Sequence, residues 1–107
     1  MTDRELLEAA ARAAGMSVVG EWGSSFGPFS GLCIRQDDCP SGFRWNPLTD
    51  DGDRYLLLKA LKMGIDFDAQ AVIYTLDGST CEESFRDDGD DARAVLRAAA
   101  EIGRAMK

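Results

Sequence analysis

The sequence predicts a single α+β domain, a layered sandwich of a small, mostly antiparallel sheet and three helices in the order α-β-β-β-α-β-β-α. Three observations predict it. Apolar residues recur at three- and four-residue spacing in three stretches, about 3–14, 50–63 and 91–106, each opened by a polar or acidic residue suited to capping. Short runs rich in Val, Ile, Phe, Trp and Tyr fill the intervals between them. The 107 residues suffice for one core spanning 1–107, and no internal repeat or interdomain linker divides them.

Thr2-Asp3-Arg4-Glu5 has capping-box spacing, in which the Thr2 hydroxyl accepts from the Glu5 N–H and Glu5 reaches back. Leu6, Leu7, Ala10, Ala13 and Ala14 then share one face opposite Glu5, Glu8 and Arg12. Glu8 and Arg12 stand four apart as a favourable pair, and Gly15 suits the left-handed residue that ends a helix. Ser17 to Trp22 reads as a strand, the glycines and proline of 23–31 forbid a regular element, and Leu32 to Arg35 reads as strand again. Gln36 to Gly42 reads as a turn segment before a short return strand, Phe43 to Trp45.

Thr49 or Asp50 caps the middle helix, and Asp50, Asp51 and Asp53 suit the positive end of its dipole. Its expected apolar face is Leu56, Leu57, Ala60, Leu61 and Met63, with Gly64 as the terminator. Ile65 to Asp68 and Ala71 to Leu76 read as extended, and Asp77-Gly78 turns the chain into a hairpin with Thr80 to Phe85. Asp87-Asp88-Gly89-Asp90-Asp91 leads into the last helix, whose core face is Ala92, Val95, Leu96, Ala99, Ile102, Gly103 and Met106.

Charge narrows the function classes. Nineteen Asp and Glu against twelve Lys and Arg give a net charge of −7, which disfavours direct nucleic-acid binding because that binding is driven by cationic side chains. An acidic surface serves solubility, and it also attracts a basic protein surface. No apolar run approaches the roughly 18 residues of a membrane span, so no membrane association is expected, and Met1 to Glu5 is too charged to open a secretory signal. Cys33, Cys39 and Cys81 are an odd number, as expected of reduced thiols, although a Cys33–Cys39 disulfide stays open.

The chain contains no histidine, which removes imidazole bases, His-dependent nucleophiles and imidazole metal sites together. No cysteine sits at an expected helix start, and their spacing does not make a zinc site. The clusters Asp50-Asp51-Gly52-Asp53 and Asp87-Asp88-Gly89-Asp90-Asp91 fail the calcium-loop spacing and precede helices, where acids and glycine serve capping. Residues 20–31 lack the lysine of a phosphate loop. Neither a cofactor, a metal nor an enzymatic activity is expected.

Three surfaces remain. Phe26, Pro28 and Phe29 in the Gly-rich loop either fold back on the core or form an apolar recognition tip. Tyr55 and Leu58 fall roughly 140–200° from the apolar centre of the middle helix, where they suit a protein contact or are covered by neighbouring elements. Arg93, Arg97, Arg104 and Lys107 share an arc of about 80° on the last helix, as a solvated face or a grip for an anionic partner.

Trp45-Asn46-Pro47-Leu48-Thr49-Asp50 opens an amphipathic helix, a strand hairpin follows, and Asp91-Ala92-Arg93-Ala94-Val95-Leu96-Arg97-Ala98-Ala99-Ala100-Glu101 begins an alanine-rich closing helix. This arrangement resembles the phage ABA-sandwich domain family and related small phage and prophage proteins. The similarity covers the whole chain in element order but only these segments in motif; the Gly-rich insert 23–31 and the Cys33–Cys39 segment depart from it. It implies the sandwich fold, a viral or prophage origin and a place of action in the host bacterial cytoplasm, and it transfers no catalytic residue. The expected function is an accessory protein that binds and modulates a host protein with a basic surface, as an anti-CRISPR or anti-restriction inhibitor would. Candidate contacts are Asp50, Asp51, Asp53, Asp87, Asp88, Asp90 and Asp91, with Tyr55, Leu58, Phe26 and Phe29. The alternative is a self-associating scaffold module, a homo-oligomer built on Tyr55, Leu58 and the Phe26/Phe29 loop.

Overall fold

The computed structural model describes residues 2–22, 31–36 and 39–106. The elements are α1 (Asp3–Ala13), β1 (Ser17–Trp22), β2 (Gly31–Gln36), β3 (Cys39–Trp45), α2 (Asp51–Leu61), β4 (Gly64–Asp66), β5 (Ala71–Leu76), β6 (Ser79–Ser84) and α3 (Asp91–Ala105). The α+β class and the succession of helices and strands are those the sequence predicts. The strands, however, form two antiparallel meanders among the described residues, β1-β2-β3 and β4-β5-β6, where one sheet was expected. Short connections pair each strand with its sequence neighbour, and α2 separates the two sets. The third strand of the second sheet is β4, from the extended Ile65 segment, which pairs Gly64 to Asp66 with Ile73 to Ala71.

Each sheet is backed by one helix. α1 packs against β1 and β2, α3 packs against β5 and β6, and the two helices pack on each other. They run in the same direction, because Asp3 of α1 meets Arg93 near the start of α3 and Arg12 meets the Met106 carbonyl past its end. One continuous core results, from Leu32, Ile34 and Trp45 on the first sheet through Leu6, Leu7, Ala10, Val95, Leu96 and Ala99 to Val72 and Tyr74 on the second.

The alanine content of α3 follows from this position. Ala94, Ala98 and Ala100 are buried along with the expected Ala92, Val95, Leu96, Ala99 and Gly103, because neighbours cover the helix on more than one side. Gly103 marks the closest approach to α1: a methyl group there would overlap the Ala9 carbonyl oxygen and stand 3.2 Å from its carbon. Met106, expected in the core face, lies past the last helical residue and is exposed.

The capping box of α1 forms, with the Glu5 N–H donating to the Thr2 hydroxyl at 3.2 Å and Thr2 N–H to Glu5 Oε1 at 3.4 Å. The expected Glu8–Arg12 pair does not. Glu8 pairs instead with Arg4 at 2.8 Å, and Arg12 reaches across to the Met106 carbonyl at 2.9 Å, closing the helix pair at its far end. A bulge at Val19 in β1 accompanies the exposure of both Val18 and Val19, because the register shift breaks the alternation of faces. Cys33 stands opposite Arg44, and Cys39 stands opposite Gln36, three residues further along β2. That offset is about 10 Å, beyond disulfide reach, and Cys33 is a free thiol.

α2 shows the largest departure from the expected packing. Leu57 is fully buried and Leu58 and Leu61 are half-buried against the core, whereas Leu56 and Ala60, expected inside, face solvent. The helix ends at Lys62, not Gly64: Lys62 takes the left-handed conformation (φ 55°), and the Met63 N–H returns to the Leu58 carbonyl at 2.9 Å. The hairpin turn at Asp77-Gly78 forms as expected, both residues having positive φ (51° and 80°).

Candidate functional site

Parallel α1 and α3 bring their N-termini to one end of the molecule, where the positive ends of two helix dipoles add. The sequence answers with carboxylates. Asp90 caps α3, accepting from the Arg93 N–H at 2.9 Å, and Asp3 lies in the first turn of α1. The Arg93 side chain spans the two, 2.7 Å from Asp3 and 3.6 Å from Asp90. The Asp3 hydrogen bond, outweighing partial burial, holds this guanidinium above its ordinary pKa.

The turn before α2 reaches the same place. Asp3, Asn46, Leu48, Thr49, Asp90 and Arg93 line a pocket of about 200 Å³. Thr49 immediately precedes Asp50, so the pocket touches Asp90 of one aspartate cluster and the residue that leads into the other.

Hydrogen bonds fix the α2 side. Asp50 caps the helix, accepting from the Asp53 N–H at 2.8 Å, and Asp53 accepts from the Asn46 N–H at 2.9 Å. Asn46 Oδ1 accepts from the Leu48 N–H, and Arg54 donates to the carbonyls of Pro47 and Leu48 at 2.9 and 3.1 Å while pairing with Asp51 at 2.7 Å. Burial raises the Asp53 pKa above its ordinary 3.8, the nearby Asp50 adds to the rise, and the Asn46 N–H opposes it.

The sign of that shift makes a prediction. A carboxyl whose folded pKa is raised contributes stability below 3.8 and loses it as pH climbs through the folded value. Asp53→Asn keeps an acceptor for Asn46 without the charge. Its stability relative to the wild type, measured in urea melts, should therefore rise between acid and neutral pH. Asp53→Ala orphans the Asn46 N–H and should lose about 1–2 kcal/mol at neutral pH.

On the α3 side Asp88 accepts from the Asp90 N–H at 3.0 Å and lies 3.6 Å from Arg97. These interactions, the Asp90 N–H foremost, depress its pKa. Asp87 and Asp91 make no hydrogen bond or ion pair among the described residues. Five of the seven candidate aspartates thus have work inside the fold, and Asp87 and Asp91 do not.

The expected basic stripe is neutralised by its neighbours. Arg97 pairs with Glu83 at 2.7 Å and donates to the Ser84 carbonyl, and Arg104 pairs with Glu101. With Arg93 and Leu6 these residues line a groove of about 310 Å³ that mixes both signs of charge, and Lys107 lies outside the described residues. A larger groove of about 550 Å³ runs between α1, β1 and the end of α3, lined by Glu5, Glu8, Ala9, Arg12, Val18, Gly103 and Arg104.

Tyr55 is 64% exposed, as a contact residue should be, but Leu58 is turned toward the core and Leu56 (53% exposed) takes its place beside Tyr55. Phe26 and Phe29 lie outside the described residues. The sequence reading missed Asp3 and Leu56 as surface residues of interest, and it named Arg93 only as part of the basic stripe. Capping signals at both helix starts were visible, but nothing local says that the two starts coincide in space.

Cys33 and Cys81 are half-buried free thiols, the Cys39 side chain lies outside the described residues, and no group of three or more metal-binding side chains gathers among those described. Among the described residues no helix is long and apolar enough to cross a membrane. Comparison of the chain with protein-family models, curated proteins and solved structures gives no match.

Proposed function

We propose that this protein is a phage or prophage accessory protein that binds a host protein through the acidic end formed by its helix N-termini. The supporting observation is the shared pocket, which sets Asp3 and Asp90 around one depression with Thr49, the residue before Asp50. Asp87 and Asp91, whose side chains have no partner among the described residues, lie within three positions of Asp90 in the chain. Fixed carboxylates on a rigid frame meet a basic surface with little loss of side-chain entropy. In this reading the target is a nucleic-acid-binding protein of the bacterial cytoplasm, such as a CRISPR effector or restriction enzyme, and the carboxylates take the place of DNA phosphates in its channel.

Affinity capture from a bacterial lysate tests the reading. The expected result is retention of a nucleic-acid-binding protein that is lost at about 1 M salt, where charges are screened within roughly 3 Å. Asp87→Asn/Asp91→Asn, which removes no side-chain bond among the described residues, should weaken retention about tenfold while lowering the melting temperature by only about a few degrees, since Asp91 lies in the first turn of α3. Retention indifferent to salt and to this variant would refute the acidic contact.

A further inference from the structure

β6 ends its sheet, paired with β5 on one side and with no strand on the other among the described residues. The register says which of its backbone groups are left over. The two-residue turn at Asp77-Gly78 makes Leu76 and Ser79 a hydrogen-bonded pair, and the alternation of an antiparallel ladder then commits Ser79, Cys81 and Glu83 to β5. The Phe85 N–H, next in that series, donates to the Gln70 carbonyl at 2.8 Å, which fixes the same phase. Thr80, Glu82 and Ser84 therefore turn their N–H and carbonyl groups away from β5, and all three residues are exposed. Arg97 donates to the Ser84 carbonyl at 3.2 Å, whereas the outward backbone groups of Thr80 and Glu82 meet no partner among the described residues.

We infer that this edge takes up a further strand, an extended lysine- or arginine-bearing segment of another protein that pairs antiparallel with β6. Donors and acceptors set at the spacing of an open strand edge are matched by another extended backbone, so the geometry names the class of ligand. Charge names its sign. The Glu82 side chain stands in the middle of the open positions and Asp77 in the adjoining turn, and neither has a hydrogen bond or ion pair among the described residues. A cationic side chain opposite Glu82 meets an unpaired carboxylate across the strands. A second copy of β6 fits less well: antiparallel pairing centred on Glu82 sets two carboxylates face to face, the arrangement by which edge strands resist joining their own kind. The opposite edge of the sheet, β4, has three residues and offers a shorter template. This inference does not rest on the acidic pocket, since it draws on backbone groups of a strand that does not line it.

The test is a nuclear magnetic resonance titration of the isotope-labelled chain with the acetylated and amidated peptide Thr-Lys-Val-Lys-Val-Lys-Thr, at about 0.15 M salt to screen exposed charges. The amide signals of Thr80 and Glu82 should move most, and their hydrogens should exchange more slowly with solvent. N-methylation of the peptide's lysines, whose N–H groups face the edge when a lysine lies opposite Glu82, should weaken binding about tenfold or more. N-methylation of its valines, whose N–H groups face away, should leave binding within about twofold. The glutamate counterpart of the peptide should bind about tenfold more weakly, and Glu82→Lys, at an exposed position, should abolish that preference. Any of four results overturns the inference. These are no shift at about 2 mM peptide, equal effects of the two N-methylations, Thr80 and Glu82 shifts that follow protein concentration without peptide (a second copy as the occupant), or shifts confined to Asp3, Thr49, Asp90 and Arg93. The last result would leave the acidic end standing as a binding surface, and shifts at β6 alone would do the reverse, so the two readings fail separately. The N-methylated peptides need no variant, so the comparison holds even if Glu82→Lys folds poorly.

Discussion

Gly103→Val is expected to lower the stability of the fold by about 3 kcal/mol, a fall in melting temperature of roughly 10–20 °C for a domain of this size. The obstacle is backbone. A Cβ at this position overlaps the Ala9 carbonyl oxygen, and a carbonyl fixed in α1 has no rotamer in which to withdraw. The two helices must separate, and Ala10, Ala99 and Ala100, small residues buried beside the contact, have no length to fill the gap. Gly103→Ala is the sharper comparison. Alanine in a helix interior ordinarily gains about 1 kcal/mol over glycine, yet here the clash should outweigh that gain and leave a net loss of about 1–2 kcal/mol. Gly64→Ala is the control, because nothing lies within 4 Å of a Cβ built there. Thermal unfolding followed by circular dichroism measures all three; a Gly103→Ala variant more stable than the wild type would mean that the helices are less closely apposed.

Trp45→Ala is expected to cost about 3–5 kcal/mol, because the ring is 1% exposed and its removal opens a large hole at the foot of β3. The conservative variant carries more information. The indole N–H is buried without an acceptor among the described residues, which already costs the wild type about 1–3 kcal/mol. Trp45→Phe sheds that donor along with some volume, so the two effects offset and the change should stay within about 1 kcal/mol. Urea unfolding distinguishes the cases. A Phe variant as unstable as the Ala variant would show that the indole N–H has an acceptor after all.

How legible the molecule is from its residues depends on the range of the interaction. Thr2 and Glu5, Asp77 and Gly78, and the apolar spacing of Ala92 to Gly103 each announce structure within a few positions, and each forms as expected. Packing partners are another matter. α2 carries Tyr55, Leu56, Leu57 and Leu58 in succession, a run that surrounds more than half the helix, so periodicity cannot choose which side goes inward. The choice was made by the Arg54 side chain, pinned to the Pro47 and Leu48 carbonyls, and by Leu57 entering the core. The division into two sheets was equally hidden, since antiparallel strands with half-buried faces read alike whether they belong to one sheet or two.

The acidic clusters illustrate the same limit for the candidate site. As sequence they look alike, two Asp-rich runs ahead of helices. In the fold Asp50, Asp53, Asp88 and Asp90 answer backbone N–H groups and Asp51 answers a guanidinium, whereas the side chains of Asp87 and Asp91 have no partner among the described residues. Composition reports how many carboxylates there are; only three-dimensional context reports which are already spoken for.

Pairing the earliest helix with the latest has a consequence for how the protein is made. The contacts between Asp3 and Arg93 and between Arg12 and Met106 join residues 90 and 94 positions apart. On a ribosome the oily side of α1 therefore emerges long before the surface that will cover it has been translated, and the first meander must wait with its helix half-seated. Docking of α1 then waits for the synthesis of α3, with a window in which Leu6, Leu7 and their neighbours are open to chaperones or to other nascent chains.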